Sequence, residues 1–169
     1  MGKLDHCQKP MRTRLRGAQR GNAILESALA LGPLFMILFA SIDYSVALLM
    51  KNTIQAAVRE GVRYAVTGQT MNGFGQDDSI KTVVQNNALG FLSGTSGAAL
   101  ISITYYNPTT LAAVTGTNSN AAGNICQVQV NGLSWVWMAP YARDSTPLQF
   151  SSTSSDIVEP TTSGIPPTR

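Results

Sequence analysis

The hydrophobic and polar positions of the chain define a long apolar segment near its N-terminus. From Ser27 to Ile42 no side chain is charged, and residues 22–50 exceed the roughly 20 residues that a helix needs to cross a bilayer. The helical path from Arg20 to Asp43 is about 34 Å at 1.5 Å per residue, close to the hydrocarbon thickness of a membrane. The pattern therefore predicts a transmembrane helix over 22–50, bent near Pro33, which lacks a backbone donor.

After residue 50 the same helix is expected to become amphipathic. The spacing of apolar residues predicts one buried face, formed by Met50, Ile54, Ala57, Val58, Gly61 and Ala65. A polar face carries Lys51, Gln55, Arg59 and Arg63 at every fourth residue. We expect this helix to continue to about Val66, with Gly68 as its stop signal.

The remaining residues predict a small sheet with one short helix. A helix is expected over 79–92 with Asp78 or Ser79 as its N-cap, and alternation predicts half-buried strands in ISITYYN and ICQVQVNG. LQFSSTSSDIVE is a weaker strand candidate. The segment WVWMAPY either continues the sheet or forms an exposed apolar ridge. Trp135 and Trp137 then share a face that belongs to the core or contacts another subunit. The predicted fold class is α+β, with a long N-terminal helix packed on a small antiparallel sheet domain.

Charge is concentrated in residues 1–21, which hold six basic residues and one acidic residue. The net positive charge of the chain therefore belongs to this leader, and nucleic-acid binding is not expected. Since basic residues stay on the cytoplasmic side, the N-terminus is predicted to be cytoplasmic and residues 51–159 extracytoplasmic. The leader is expected to lack regular structure, and residues 160–169 are expected to form a flexible tail.

Catalytic and metal chemistry have few candidate residues. His6 is the only histidine and lies in the leader, which argues against histidine-dependent catalysis in the outer domain. With Cys7 also in the leader, Cys126 is predicted to be a lone, buried thiol. Asp77 and Asp78 could bind calcium, but such a pair more often forms a turn or helix cap. We predict no enzyme activity, no catalytic or metal site and no cofactor.

A short motif lies between the leader and the apolar segment. It runs Arg20-Gly21-Asn22-Ala23-Ile24-Leu25-Glu26. Cleavage after Gly21 would leave the anchor in place, whereas an ordinary secretory signal is cut after its apolar region. The new ammonium at Asn22, on the same or a neighbouring subunit, would offset the charge of Glu26, which is costly inside a membrane. Alternatively, Glu26 lies in the headgroup zone and has no role.

The apolar segment and the helix after it resemble a known family. The segment is similar to the class III signal peptide of type IV pilins, and more narrowly to the TadE family of pseudopilins in tight-adherence (Flp-type) pilus systems. The resemblance covers roughly residues 20–68. TadE-like proteins typically have an Asp-aromatic pair, here Asp43-Tyr44. An Ala-Arg-Glu-Gly-x-Arg-Tyr-Ala-like run follows, here Val58-Arg59-Glu60-Gly61-Val62-Arg63-Tyr64-Ala65, with Val58 in place of the usual Ala.

The resemblance implies a pilin-like fold and a role in assembling a pilus. It implies cleavage by prepilin peptidase between Gly21 and Asn22, and assembly contacts through Glu26 and Asn22. The implied partners are other pilin or pseudopilin subunits and the inner-membrane pilus assembly machinery of a bacterium. An alternative is an uncleaved single-pass protein whose outer domain binds a secretion or cell-envelope partner.

Overall fold

The computed structural model describes residues 15–139, 146–161 and 164–169, with side chains from Asn22 onward. It confirms the α+β class. Along the chain the elements are α1 (Leu15–Val66), α2 (Gln76–Asn87), α3 (Gly94–Ala99), β1 (Ile101–Tyr106), β2 (Ala113–Val114), β3 (Ile125–Trp135) and β4 (Leu148–Ile157). The chain divides into two units, residues 1–42 and 43–169.

The described part of the first unit is helix α1 from Leu15 to Ile42. The helix continues without a break through Pro33, and the apolar side chains of this stretch are exposed. Phe35 and Phe39 stack one turn apart, with ring centroids separated by 6.4 Å. The prediction that the leader lacks regular structure is wrong for residues 15–21, which form the first turns of α1. Residues 1–14 lie outside the described part of the chain.

The second unit contains an antiparallel sheet with the strand order β2-β1-β3-β4. Both alternating segments are strands as predicted, with Ile103 of β1 opposite Val128 of β3. The weaker candidate is the edge strand β4. Strand β3 is longer than its alternating core, because it passes an irregularity between Val130 and Leu133 and then pairs again as far as Trp135. Gly132 adopts a φ of +80° there, a conformation that favours glycine.

The core of this unit lies between the sheet and the second half of α1. All six residues of the predicted helix face are buried, and Cys126, Val128 and Val130 of β3 are fully buried in the same cluster. Helix α1 ends at Val66 as predicted. Gly68, with a φ of +65°, donates its N–H to the carbonyl of Ala65 and so closes the last turn.

The predicted bounds of the second helix are wrong. Helix α2 begins at Gln76 and ends at Asn87, with Gly75 at the N-cap position. Its start is earlier because Gln76 is fully buried and donates to the carbonyl of Ala65 at 3.1 Å. Its end is earlier because Leu89 and Gly90 both adopt positive φ values of 48° and 84°, which a helix cannot contain.

The region after α2 differs from the expected loop, and the end of the chain makes defined contacts. Part of the SGTSG segment forms the short helix α3. In the segment expected to be a flexible tail, the carbonyl of Thr168 accepts the Gln76 N–H at 2.8 Å. The guanidinium of Arg169 pairs with the Asp77 carboxylate at 2.7 Å and lies 4.7 Å from the centre of the Tyr105 ring.

Candidate functional site

The predicted processing and assembly residues lie in the first turns of α1. The Gly21–Asn22 bond is inside the helix, and the side chains of Asn22 and Glu26 are exposed. Because these residues are four apart, they lie on the same side of the helix. Cleavage at this bond would therefore create an ammonium on the helix face that carries the Glu26 carboxylate.

The apolar stretch after Glu26 is exposed in the part of the chain that the structure describes. Within the described residues, α1 is the one helix long and apolar enough to cross a membrane, and none of its most apolar stretch is buried. A core helix of a soluble protein would instead be mostly buried. The stretch therefore needs cover from lipid or from other helices.

Asp43 is the first charged residue after that stretch, and its side chain is only 1% exposed. Its two carboxylate oxygens accept the backbone N–H groups of Met138 and Ala139, both at 2.9 Å. The indole of Trp135 also lies near this carboxylate, but its Nε1–H forms no hydrogen bond with the described residues. The acidic residue of the predicted Asp-aromatic pair thus holds the chain segment that leaves β3.

The geometry of this segment follows from the end of β3. Trp135 closes the strand and packs against the core, so the two tryptophans do not share one environment. Trp137 lies outside the strand, and its indole N–H donates to the carbonyl of Thr146 at 3.3 Å. Val136 and Met138 are exposed, so between residues 135 and 139 the segment WVWMAPY continues the sheet for one residue and then exposes apolar side chains, while Pro140 and Tyr141 lie outside the described residues.

The rest of the family motif divides into packing and surface residues. A Cβ added to Gly61 would overlap the Cγ2 atom of Val84, so the glycine permits close approach of α1 and α2. Tyr64 packs partly against the core. Arg59 is exposed, and Glu60 and Arg63 form an exposed pair at 3.9 Å, which contributes little to stability.

The described residues hold no cluster of three or more histidine, cysteine, aspartate or glutamate side chains that could bind a metal. Asp77 lies in the first turn of α2 and is paired with Arg169. Burial raises the pKa of Cys126 to about 12, which makes the thiol a poor nucleophile. Burial likewise raises the pKa of Tyr105 above its usual range. Cys126 and Tyr105 are therefore packing residues of the core.

Two contacts were not predicted from the sequence. Asp43 was identified through the motif, but its partners are backbone N–H groups, which nearly every residue type has and which the sequence therefore does not mark. The pairing of Asp77 with Arg169 joins residues far apart in the chain, and both lie in segments that were expected to be a turn and a tail.

The family model described as TadE-like protein matches residues 21–63. The match confirms the predicted resemblance, and it makes this N-terminal segment similar to proteins associated with tight-adherence pili, which are structural. No curated protein and no solved structure matches the chain. Residues 64–169, with the sheet and the Asp77–Arg169 pair, lie beyond the matched segment.

Proposed function

We propose that this chain is a minor pseudopilin that takes part in assembling a tight-adherence (Flp-type) pilus. In this proposal prepilin peptidase cleaves after Gly21, and α1 then anchors the protein in the bacterial inner membrane. The TadE-like match over residues 21–63 is the observation that carries the proposal. The matched residues include Gly21 to Glu26, the apolar stretch and most of the run from Val58 to Ala65.

The exposed apolar stretch of α1 supports this proposal. A subunit that leaves the membrane for a pilus exchanges contacts with lipid for contacts with other helices. Apolar packing alone discriminates poorly between helix registers, since lipid tails are as apolar as leucine. The exposed Glu26 carboxylate can supply the register by pairing with the Asn22 ammonium of a neighbouring subunit. If the carboxylate or the ammonium were left without its partner away from water, the free-energy cost would be several kcal/mol, as for a buried ion pair that loses one partner.

The orientation follows from the charge of the leader. Six basic residues precede the apolar stretch, and Lys51 is the first basic residue after it. The positive-inside rule then leaves the leader in the cytoplasm, where the proposed peptidase reaches it, and exports the sheet domain. Prepilin peptidase and the inner-membrane assembly machinery are the partners that this proposal requires.

Cleavage needs the helix to open at the scissile bond. Glycine destabilises a helix by about 1 kcal/mol relative to alanine, so Gly21 favours local unwinding there. It also lacks a Cβ that would keep a peptidase from the backbone. We therefore expect Gly21 to be needed for processing for both reasons.

The experiment is mass spectrometry of the membrane form, expressed with its cognate peptidase. We expect a mature N-terminus at Asn22, and an uncleaved precursor for Gly21→Trp. Gly17→Trp, the same substitution one helical turn earlier, is the matched control and should be processed normally. A wild-type protein that keeps Met1 would refute the proposal and favour the uncleaved single-pass anchor.

A further inference from the structure

An open groove of about 410 Å³ lies beside the residues of α1 that follow Asp43. One wall is a helix face with Tyr44, Leu48 and Lys51. The opposite wall consists of Trp137 and the start of β4, including Phe150. The groove is therefore lined mainly by apolar and aromatic groups, and Lys51 is the charged residue at its edge.

Exposed apolar side chains continue from the groove along the segment after β3. Val136 and Met138 are 55% and 57% exposed, although the same segment is held by two hydrogen bonds to Asp43. Tyr44, directly after Asp43, is also mostly exposed. Within the described residues, the apolar surface therefore comprises the groove and these exposed neighbours in the chain.

Asp43, the first residue of the second unit, holds the segment after β3 beside the start of that unit. Asp43 follows Ile42, the last residue of the uncharged run, and it directly binds the backbone at Met138. Lys51 is two helical turns further, about 12 Å along the axis. The headgroup zone is roughly 5–8 Å thick on each side of the hydrocarbon, and a lysine side chain can reach back into it.

We propose that this surface is an interfacial seat that docks into the headgroup zone of the outer leaflet. The interfacial seat consists of Tyr44, Leu48, Lys51, Val136, Trp137 and Met138. Lipid molecules of that leaflet occupy the groove between α1 and Trp137. The proposal rests on the single-pass anchor of the proposed function, and it adds a second membrane contact made by the sheet domain.

Two observations favour lipid over a partner subunit as the occupant. First, the seat residues Tyr44, Leu48 and Lys51 come directly after Asp43 in the chain, where the uncharged run that needs lipid cover ends. Second, no acidic residue lines the groove among the described residues, and Lys51 complements the phosphates of anionic lipids. Tyrosine and tryptophan are also the residues that prefer the headgroup level of a bilayer.

The test uses the fluorescence of Trp137 in the full chain carrying Trp135→Phe, so that Trp137 is the single tryptophan. The protein is reconstituted alone, at a low protein-to-lipid ratio, in vesicles with equal parts of phosphatidylcholine and phosphatidylglycerol. Nitroxide-labelled lipids carry the quencher either near the headgroup or near the bilayer midplane. We expect headgroup-labelled lipid to remove about half of the emission, and midplane-labelled lipid much less, as for a residue at the interface.

A distal tryptophan is the matched control. Phe74 is 54% exposed and follows the far end of α1, so Phe74→Trp with both native tryptophans replaced by phenylalanine should not be quenched by either lipid. Flotation with the vesicles measures anchoring separately. Floated protein whose Trp137 is quenched no more than the distal control would overturn the seat while the anchor stands. Dominant quenching from the midplane would also overturn it. Protein that does not float would refute the anchor, and with it the seat.

Discussion

The carboxylate of Asp43 is the contact through which α1 holds the segment after β3. Asp43→Ala removes both acceptors from the N–H groups of Met138 and Ala139 and leaves the second of these donors buried. A buried donor without an acceptor costs about 1–3 kcal/mol. With one donor buried and the other partly buried, we expect a total of about 3 kcal/mol, or roughly 150-fold in the local opening equilibrium.

The assay is amide hydrogen exchange, followed by mass spectrometry, on the full chain in lipid nanodiscs. Peptides that contain Met138 and Ala139 should lose protection by roughly that factor in Asp43→Ala, because exchange follows local opening. Asp43→Asn should have about half the effect in kcal/mol, since its amide keeps one acceptor oxygen. The control is Asp78→Asn, which removes an exposed carboxylate whose lysine partner is 3.9 Å away.

Peptides from the centre of the sheet report on global stability in the same experiment. Their protection should change little, since the lost hydrogen bonds lie beyond the last paired residue of β3. Protection at Met138 and Ala139 within threefold of wild type in Asp43→Ala would show that the carboxylate does not hold the segment. The positional argument for the interfacial seat would then lose its basis.

Three further predictions concern other parts of the chain. Glu26→Gln should still insert and be cleaved, but should fail to crosslink with partner pilins; wild-type crosslinking would contradict the pairing mechanism. Gly61→Ala should destabilise the domain by about 1–2 kcal/mol in thermal melts, because the overlap of the new Cβ with Val84 of α2 exceeds the gain in helix propensity. Gly32→Ala is the control and should not destabilise the protein, because the space around Gly32 is open. At pH 8 in Cys7→Ser, iodoacetamide should label Cys126 about 1,000-fold more slowly than after denaturation, since burial raises its pKa from 9.0 to about 12. The neutral thiol therefore stabilises the fold below about pH 9, and this contribution is lost as pH rises towards 12.

Helix α1 was predictable because a single physical rule governs each half. The first half is an uncharged apolar run long enough to cross a membrane as a helix. In the second half, the spacing of the apolar residues matches the helical period. The buried positions from Met50 to Ala65 followed from that spacing, and the end at Val66 followed from Gly68. Both are local signals that need no information about the rest of the chain.

The contacts of Asp43 and Arg169 were not predictable, because each depends on groups distant in sequence. Asp43 binds backbone N–H groups about 95 positions away, and any residue type presents such groups. Arg169 follows a segment rich in proline and small polar residues, a composition that indicates a flexible end. Its bidentate pairing with Asp77 and its position over Tyr105 depend on how α2 and β1 come together in the fold.

Helix α2 shows how tertiary contacts override a local signal. Asp78 and Ser79 are good capping residues, and from sequence they marked the start of the helix. In the structure the Ser79 hydroxyl instead donates to the carbonyl of Gly75 from within the first turn. The buried side chain of Gln76 satisfies the end of α1 through the Ala65 carbonyl, which adds a turn before the expected cap.

The proposed assembly contact and the proposed interfacial seat act at opposite ends of the same apolar stretch. Transfer into a fibre would pair Glu26 with a neighbouring ammonium, but it would also remove the seat from lipid. Moving a large apolar side chain from lipid to water costs about 1.5–3 kcal/mol. Val136 and Met138 would each carry such a cost on leaving lipid, unless a neighbouring subunit covered them. A seat that stays in lipid therefore favours action at the membrane, where this subunit contributes to assembly while its domain remains on the outer leaflet. A seat covered by protein would favour incorporation into the fibre. Lipid quenching of Trp137 in the reconstituted Trp135→Phe protein, compared before and after the addition of partner subunits that lack tryptophan, distinguishes the two roles.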